Sequence, residues 1–129
     1  MTPVAAVQFV EELAATGGNP ILGIVRDSPD GMTDAVRRQG EIEWVRVRHE
    51  EVTGFTPSAE GQLTAGLTVC AGSCGPCNLH LISGLSDGYR SCVPVLGIAL
   101  HILPTKMGSG YFQQGYRSRS RPRSAERKK

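Results

Sequence analysis

The chain predicts an α/β fold built on a mostly parallel sheet, and three observations carry that expectation. Apolar runs rich in β-branched residues recur at 21–25, 42–47, 67–70 and 93–100. Segments with helical apolar spacing separate them, which is the pattern of βαβ units whose strands run parallel. Glycine-containing or polar turns mark the junctions, and there is no internal repeat.

Each element has its own local reason. Thr2 reads as an N-cap with Pro3 at the first helical position, and Val7, Val10, Leu13 and Ala14 make one apolar face that Gly17-Gly18 closes. Ile21 to Val25 reads as a buried strand. Asp30 can cap a helix through Met32, Ala35 and Val36 that ends at Gly40. Ile42 to Val47 is a strand with one face less buried, because Ile42 and Trp44 alternate with Glu43. A helix from Glu50 to about Leu63 follows, opposed by Thr53, Gly54, Pro57, Ser58 and Gly61, so a kink at Pro57 or a short, frayed helix is expected. Strand Leu67–Cys70, a turn over Gly72–Cys77, helix Asn78–Leu85 and strand Val93–Leu100 complete the order.

At 129 residues, with 40% apolar and 20% charged residues, the chain has the size and composition of one soluble domain. The N-terminus has no basic stretch and Glu11-Glu12 interrupt its apolar run, so no signal peptide is expected. The most apolar segment, Val93 to Leu103, is too short to span a bilayer and contains His101. Four cysteines without a secretion signal read as reduced thiols, and a cytoplasmic location follows as the expectation. The net charge of +2 is unevenly spread. Met1 to Tyr116 carries more acidic than basic residues, whereas Arg117 to Lys129 is rich in arginine and serine with Glu126 as its one acid.

Two stretches carry chemistry, each where an apolar run gives way to a helix, the carboxyl edge at which open α/β sheets place their sites. The first is Arg48-His49-Glu50-Glu51-Val52. On residue type alone, carboxylates at a helix start serve the helix dipole. The second is Gly72-Ser73-Cys74-Gly75-Pro76-Cys77-Asn78-Leu79-His80, a tight turn from which His80 can project one helical turn later. Its Cys74-Gly75-Pro76-Cys77 string is identical to the thioredoxin redox motif, in which a thiol of lowered pKa at a helix N-terminus attacks a disulfide. Ser73, where thioredoxins usually have Trp, and the single strand expected downstream oppose that reading. A zinc site from Cys70, Cys74, Cys77 and His80 has spacing that straddles a strand and a turn, so no metal site is expected.

From about Gly23 to Gln113 the chain resembles the thiamine-diphosphate-dependent pyruvate oxidases and pyruvate:quinone dehydrogenases. Arg48-His49-Glu50-Glu51-Val52 matches the family pattern at every position; Gly72-Ser73-Cys74-Gly75-Pro76, Asn78-Leu79-His80 and Gly84-Leu85-Ser86-Asp87 match its second motif, with Cys77 replacing a glycine. Gly108-Ser109-Gly110-Tyr111-Phe112-Gln113 matches a third. Arg26 stands where the family prefers glycine, in Gly23-Ile24-Val25-Arg26-Asp27-Ser28.

The resemblance implies a pyrimidine-binding domain over residues 1–113, a three-layer, doubly wound sheet, and a basic tail over 114–129. It makes Glu50 the catalytic residue, bonded to a ring nitrogen of the cofactor's aminopyrimidine and favouring its imino tautomer. Pro76 and His80 join Glu50 as cofactor-binding residues, and Phe112 and Gln113 line the substrate pocket. The implied cofactor is thiamine diphosphate, held here at its pyrimidine end only, and the implied substrate is a pyruvate-like 2-oxo acid. The complete enzymes also carry FAD and Mg²⁺, for which this chain offers no sites; the Gly-Asp-Gly motif of their metal–diphosphate domain does not occur in it. The resemblance therefore implies a truncated or frameshifted product, inactive alone, whose partner is a homo-oligomer or a complementary subunit carrying the diphosphate-binding domain. The tail is expected to be disordered rather than a nucleic-acid arm, because no aromatic or folded motif accompanies its charges, and no membrane attachment is expected from this chain.

Overall fold

A computed structural model describes residues 3–25 and 30–106 of the chain. Their order is α1 (Pro3–Ala15), β1 (Ile21–Gly23), α2 (Asp30–Gln39), β2 (Trp44–Arg46), α3 (Glu50–Thr64), β3 (Thr68–Gly72), α4 (Pro76–Arg90), β4 (Val95–Ala99) and a 3-10 turn at Pro104–Lys106. The four strands form one sheet in the order β2-β1-β3-β4, with every pair parallel. Chain order runs one way from β1 to β2 and the other way from β3 to β4, so the direction of winding reverses between the two central strands.

Alternation along the strands divides the interior into two layers. Ile21, Val69 and Ala71 face α1 and α2, where Val10, Met32 and Val36 complete a fully apolar core. The opposite side of the sheet receives α3 and α4. There Thr68 Oγ1 donates to the Pro57 carbonyl at 3.0 Å, and a Cβ on Gly97 would touch Leu85. The fold is thus the three-layer α/β arrangement expected.

The largest departure from expectation is α3. It runs from Glu50 to Thr64 as one continuous helix with Pro57 inside, so it is neither short nor frayed at the proline. An interior proline costs a helix about 3 kcal/mol, yet here Pro57 is fully buried and its own carbonyl is satisfied by Thr68. Two of the residues of low helix propensity, Gly54 and Ser58, meet α4, while Pro57 and Gly61 lie against Thr68 of β3. A Cβ built on Gly84 would lie 2.1 Å from the carbonyl carbon of Gly54, so the two helix backbones touch where they cross. Ser58 Oγ donates to the Gly84 carbonyl at 2.7 Å and clamps the crossing. Tertiary packing overrides propensity, because only residues this small permit the approach.

The same seam explains why α4 is longer than expected. It begins at Pro76 rather than Asn78 and continues past Leu85 to Arg90, through Gly84 and Gly88, both of them buried against α3 or β4. Strand boundaries shift as well. β1 and β2 are three residues each, and β3 extends to Gly72, which leaves only Ser73-Cys74-Gly75 as the turn. No helix among the described residues is long and apolar enough to cross a membrane. Thr2, the Arg26-Asp27-Ser28 turn, the loop with Phe112 and Gln113, and the Arg/Ser tail lie outside the described residues.

Candidate functional site

The site is built where β2 and β3 hand over to α3 and α4. Val47 extends the β2 ladder by donating to the Gly23 carbonyl at 3.2 Å. His49 then has extended backbone (φ −149°, ψ 143°) and caps α3, its Nδ1 accepting the Glu51 N–H at 3.2 Å. Glu50 is therefore the first residue of α3, and its side chain turns inward: it is 4% exposed, whereas the neighbouring Glu51 is exposed. The two adjacent carboxylates separate into one buried group and one solvated one. Burying a carboxylate is costly unless charge or dipole compensates, and the N-terminal end of α3 supplies part of that.

The second strand-to-helix turn supplies the facing wall. Gly75 adopts φ +72°, a conformation that favours glycine, and lets Pro76 start α4 at the position where its missing N–H is harmless. Pro76 is exposed at the rim, and His80 follows one helical turn later on the same side of α4. His80 Nδ1 lies 3.7 Å from Glu50 Oε2, and its ring stacks on that of His49 with centroids 4.9 Å apart and planes at 30°. Asn78 pins this end of α4 to the sheet by donating from Nδ2 to the Leu100 carbonyl at 2.9 Å.

The structure thus brings Glu50 and His80 together at the carboxyl edge and places Pro76 at the same edge; the two other expected site residues, Phe112 and Gln113, lie outside the described residues. It also adds residues that sequence reasoning passed over. His49 joins both halves of the site by capping α3 and stacking on His80. Ser73 Oγ and Asn78 Oδ1, at the end of β3 and in the first turn of α4, are buried without a hydrogen-bond partner among the described residues. Buried polar atoms of this kind are uncommon and call for a polar group to meet them. The motif Arg48-His49-Glu50 was the available signal for His49, whereas nothing in the pattern distinguishes Ser73 from an ordinary turn serine.

Among the described residues, Cys74 and Cys77 lack the surroundings of a thioredoxin-type redox centre. The strands pair only in parallel among the described residues, and the two thiols are 2% and 7% exposed. None of Cys70, Cys74, Cys77 and Cys92 is in a disulfide. Burial pushes the Cys70 thiol up to about 11, away from reactivity at neutral pH.

A doubly wound parallel sheet with a buried carboxylate opening one helix and a histidine from the next helix beside it defines a cofactor-binding α/β domain. Residues 4–119 match the thiamine pyrophosphate enzyme, N-terminal TPP binding domain, and the chain belongs to that family. It is 55% identical over 113 residues to an uncharacterized 42.6 kDa protein in isoamylase 3′ region of Pseudomonas amyloderamosa, covering 88% of this chain and 28% of that one. It is 34% identical over 112 residues to the pyruvate oxidase of Lactiplantibacillus plantarum, covering 86% of this chain and 19% of the oxidase. Similarity to the acetolactate synthase of Arthrospira platensis is 29% over 112 residues, covering 84% of this chain and 19% of the synthase. The chain spans between about a fifth and somewhat over a quarter of the length of these relatives.

Proposed function

We propose that the chain supplies the pyrimidine-binding half of a thiamine diphosphate site for an enzyme of the pyruvate oxidase or pyruvate:quinone dehydrogenase type. The observation that carries this reading is Glu50: a buried carboxylate at a helix N-terminus, on the carboxyl edge of a sheet whose family binds thiamine pyrophosphate. The residues fit the pyrimidine end of the cofactor. Glu50 offers a carboxyl oxygen to a ring nitrogen, and Ser73 Oγ and Asn78 Oδ1 are buried polar atoms in the adjoining turn and helix. Thiamine diphosphate, when bound, supplies an electron sink for decarboxylation of a 2-oxo acid.

The chain's own residues would divide the work. Glu50 holds a proton at the aminopyrimidine ring nitrogen and so biases which ring tautomer is populated. His49 keeps Glu50 at the start of α3 through its cap, and His80, beside the carboxylate, faces the reactive side. Pro76 shapes the rim of the turn. Phe112 and Gln113, outside the described residues, are the candidates for contact with a pyruvate-like 2-oxo acid by the family resemblance alone. A diphosphate-binding domain, with its Mg²⁺, comes from a partner subunit that carries one, and FAD belongs to a further domain of the complete enzymes.

One hydrogen bond contributes about 0.5–1.5 kcal/mol net, less than association itself costs. The 129-residue chain alone should therefore show no calorimetric binding of thiamine diphosphate with Mg²⁺ and no pyruvate decarboxylation. Adding the flavin- and diphosphate-binding domains of a relative in trans should restore turnover. Micromolar binding by the chain alone would mean that the anchor for the cofactor has been misplaced.

A further inference from the structure

We propose that His49, Glu50 and His80 form a binding site for a divalent transition-metal ion of the Zn²⁺ class. One ligand atom from each, two imidazole nitrogens and a carboxylate oxygen, lies within 4.8 Å of the others. Two histidines and one glutamate are a recognised zinc donor set, with bonds of about 2.0–2.2 Å and a fourth position left for water. Tetrahedral geometry at that bond length puts ligand atoms about 3.3 Å apart. Nδ1 of His80 and Oε2 of Glu50, at 3.7 Å, are nearly there already. The remaining contraction falls on the imidazoles, which can turn because both histidines are exposed while Glu50 is held in the protein.

The donor chemistry selects the metal. Imidazole nitrogens favour Zn²⁺, Co²⁺, Ni²⁺ or Cu²⁺ over the hard cations Mg²⁺ and Ca²⁺, which take oxygen ligands. A cation here also neutralises a buried carboxylate. His49 is the weakest of the three ligands. Its Nδ1 already accepts the Glu51 N–H, so coordination through either ring nitrogen displaces that bond, because freeing Nε2 moves the ring proton to Nδ1. This sets an order among the ligands that a loose surface association lacks.

Metal and cofactor would compete for the Glu50 carboxylate, so the test uses the chain without any thiamine compound, and failure of one reading leaves the other standing. The full chain carrying Cys92→Ser, which removes the exposed thiol, is titrated with Co²⁺ and then Zn²⁺ while circular dichroism follows the fold. One equivalent of Co²⁺ should bind with a visible ligand-field spectrum of nitrogen and oxygen ligation, and Zn²⁺ should displace it. Glu50→Gln and His80→Ala should each weaken binding by about 100-fold, at or above the cost of losing a supporting partner. His49→Ala should cost less, and His101→Ala, the remaining histidine, nothing. A thiolate charge-transfer band would overturn the proposal. So would equal affinity in folded Glu50→Gln, equal losses for His101→Ala, or no binding at all.

Discussion

His80 stands with its Nδ1 3.7 Å from Oε2 of Glu50, although the two residues begin in different strand-to-helix turns and sit on different helices. The contact depends on two starts being placed correctly: α3 at Glu50, by the His49 cap, and α4 at Pro76, by the glycine turn before it. The meeting of these two side chains is therefore a property of two helix termini held in register.

Replacing Glu50 with glutamine tests the carboxylate at nearly constant shape. In an enzyme reconstituted with the flavin- and diphosphate-binding domains of a relative, turnover of a 2-oxo acid should fall at least about 100-fold, or about 2.7 kcal/mol of transition-state stabilisation. The melting temperature should not fall, because the substitution relieves the desolvation of a buried charge. Retained turnover would remove Glu50 from the mechanism.

The α3–α4 crossing makes a sharper stability prediction. Gly84→Ala places a methyl group 2.1 Å from backbone of Gly54, and backbone cannot turn aside as a side chain can. A loss of about 3 kcal/mol or more is expected in urea unfolding, the upper part of the overpacking range. Gly31→Ala is the control: it lies in α2 with nothing within 4 Å of the added atom, and should stabilise the chain by up to about 1 kcal/mol.

Thiol reactivity should follow exposure. Cys92 should react first with a disulfide reagent, Cys74 and Cys77 slowly, and Cys70 last. Insulin should not be reduced; turnover abolished by Cys74→Ser would revive the redox reading. The Cys70 thiol is raised by burial from 9.0 to about 11, so the folded chain holds that proton more tightly than the unfolded chain. Its contribution is fully present below pH 9 and is lost as the pH rises toward about 11, a loss of about 2–3 kcal/mol. Cys70→Ala should flatten the alkaline limb of the stability profile.

His49 can be separated into its two roles. His49→Ala removes the cap and should cost about 1 kcal/mol. His49→Asn keeps a good capping residue and should recover most of that stability while losing the stack on His80. Thermal unfolding reports the first effect. Turnover of the reconstituted enzyme reports the second.

Much of this was legible in the residues. Alternating β-branched runs and helical segments specify the parallel sheet, and Arg48-His49-Glu50 and Asn78-Leu79-His80 locate the edge at which Glu50 and His80 meet. The seam between α3 and α4 was not legible. Gly54 and Ser58 read locally as residues that oppose a helix, and only the partner helix shows that their smallness is required. Chain-local rules evaluate the cost of such residues without the contact that offsets it. The inward turn of Glu50 against the outward turn of Glu51 is similarly invisible, since both are equally good residues for a helix start.

The contact of Gly54 with Gly84 also bears on how the molecule opens. With backbone against backbone and Ser58 bridging to the Gly84 carbonyl, α3 and α4 offer no sliding surface between them, and neither can detach without exposing the other. Their amides should exchange with solvent as one cooperative block, at the slow end of the chain's range. Glu50 and His80 ride on that block. A partly unfolded form that keeps one and loses the other has no place on the landscape, so the site is either whole or gone.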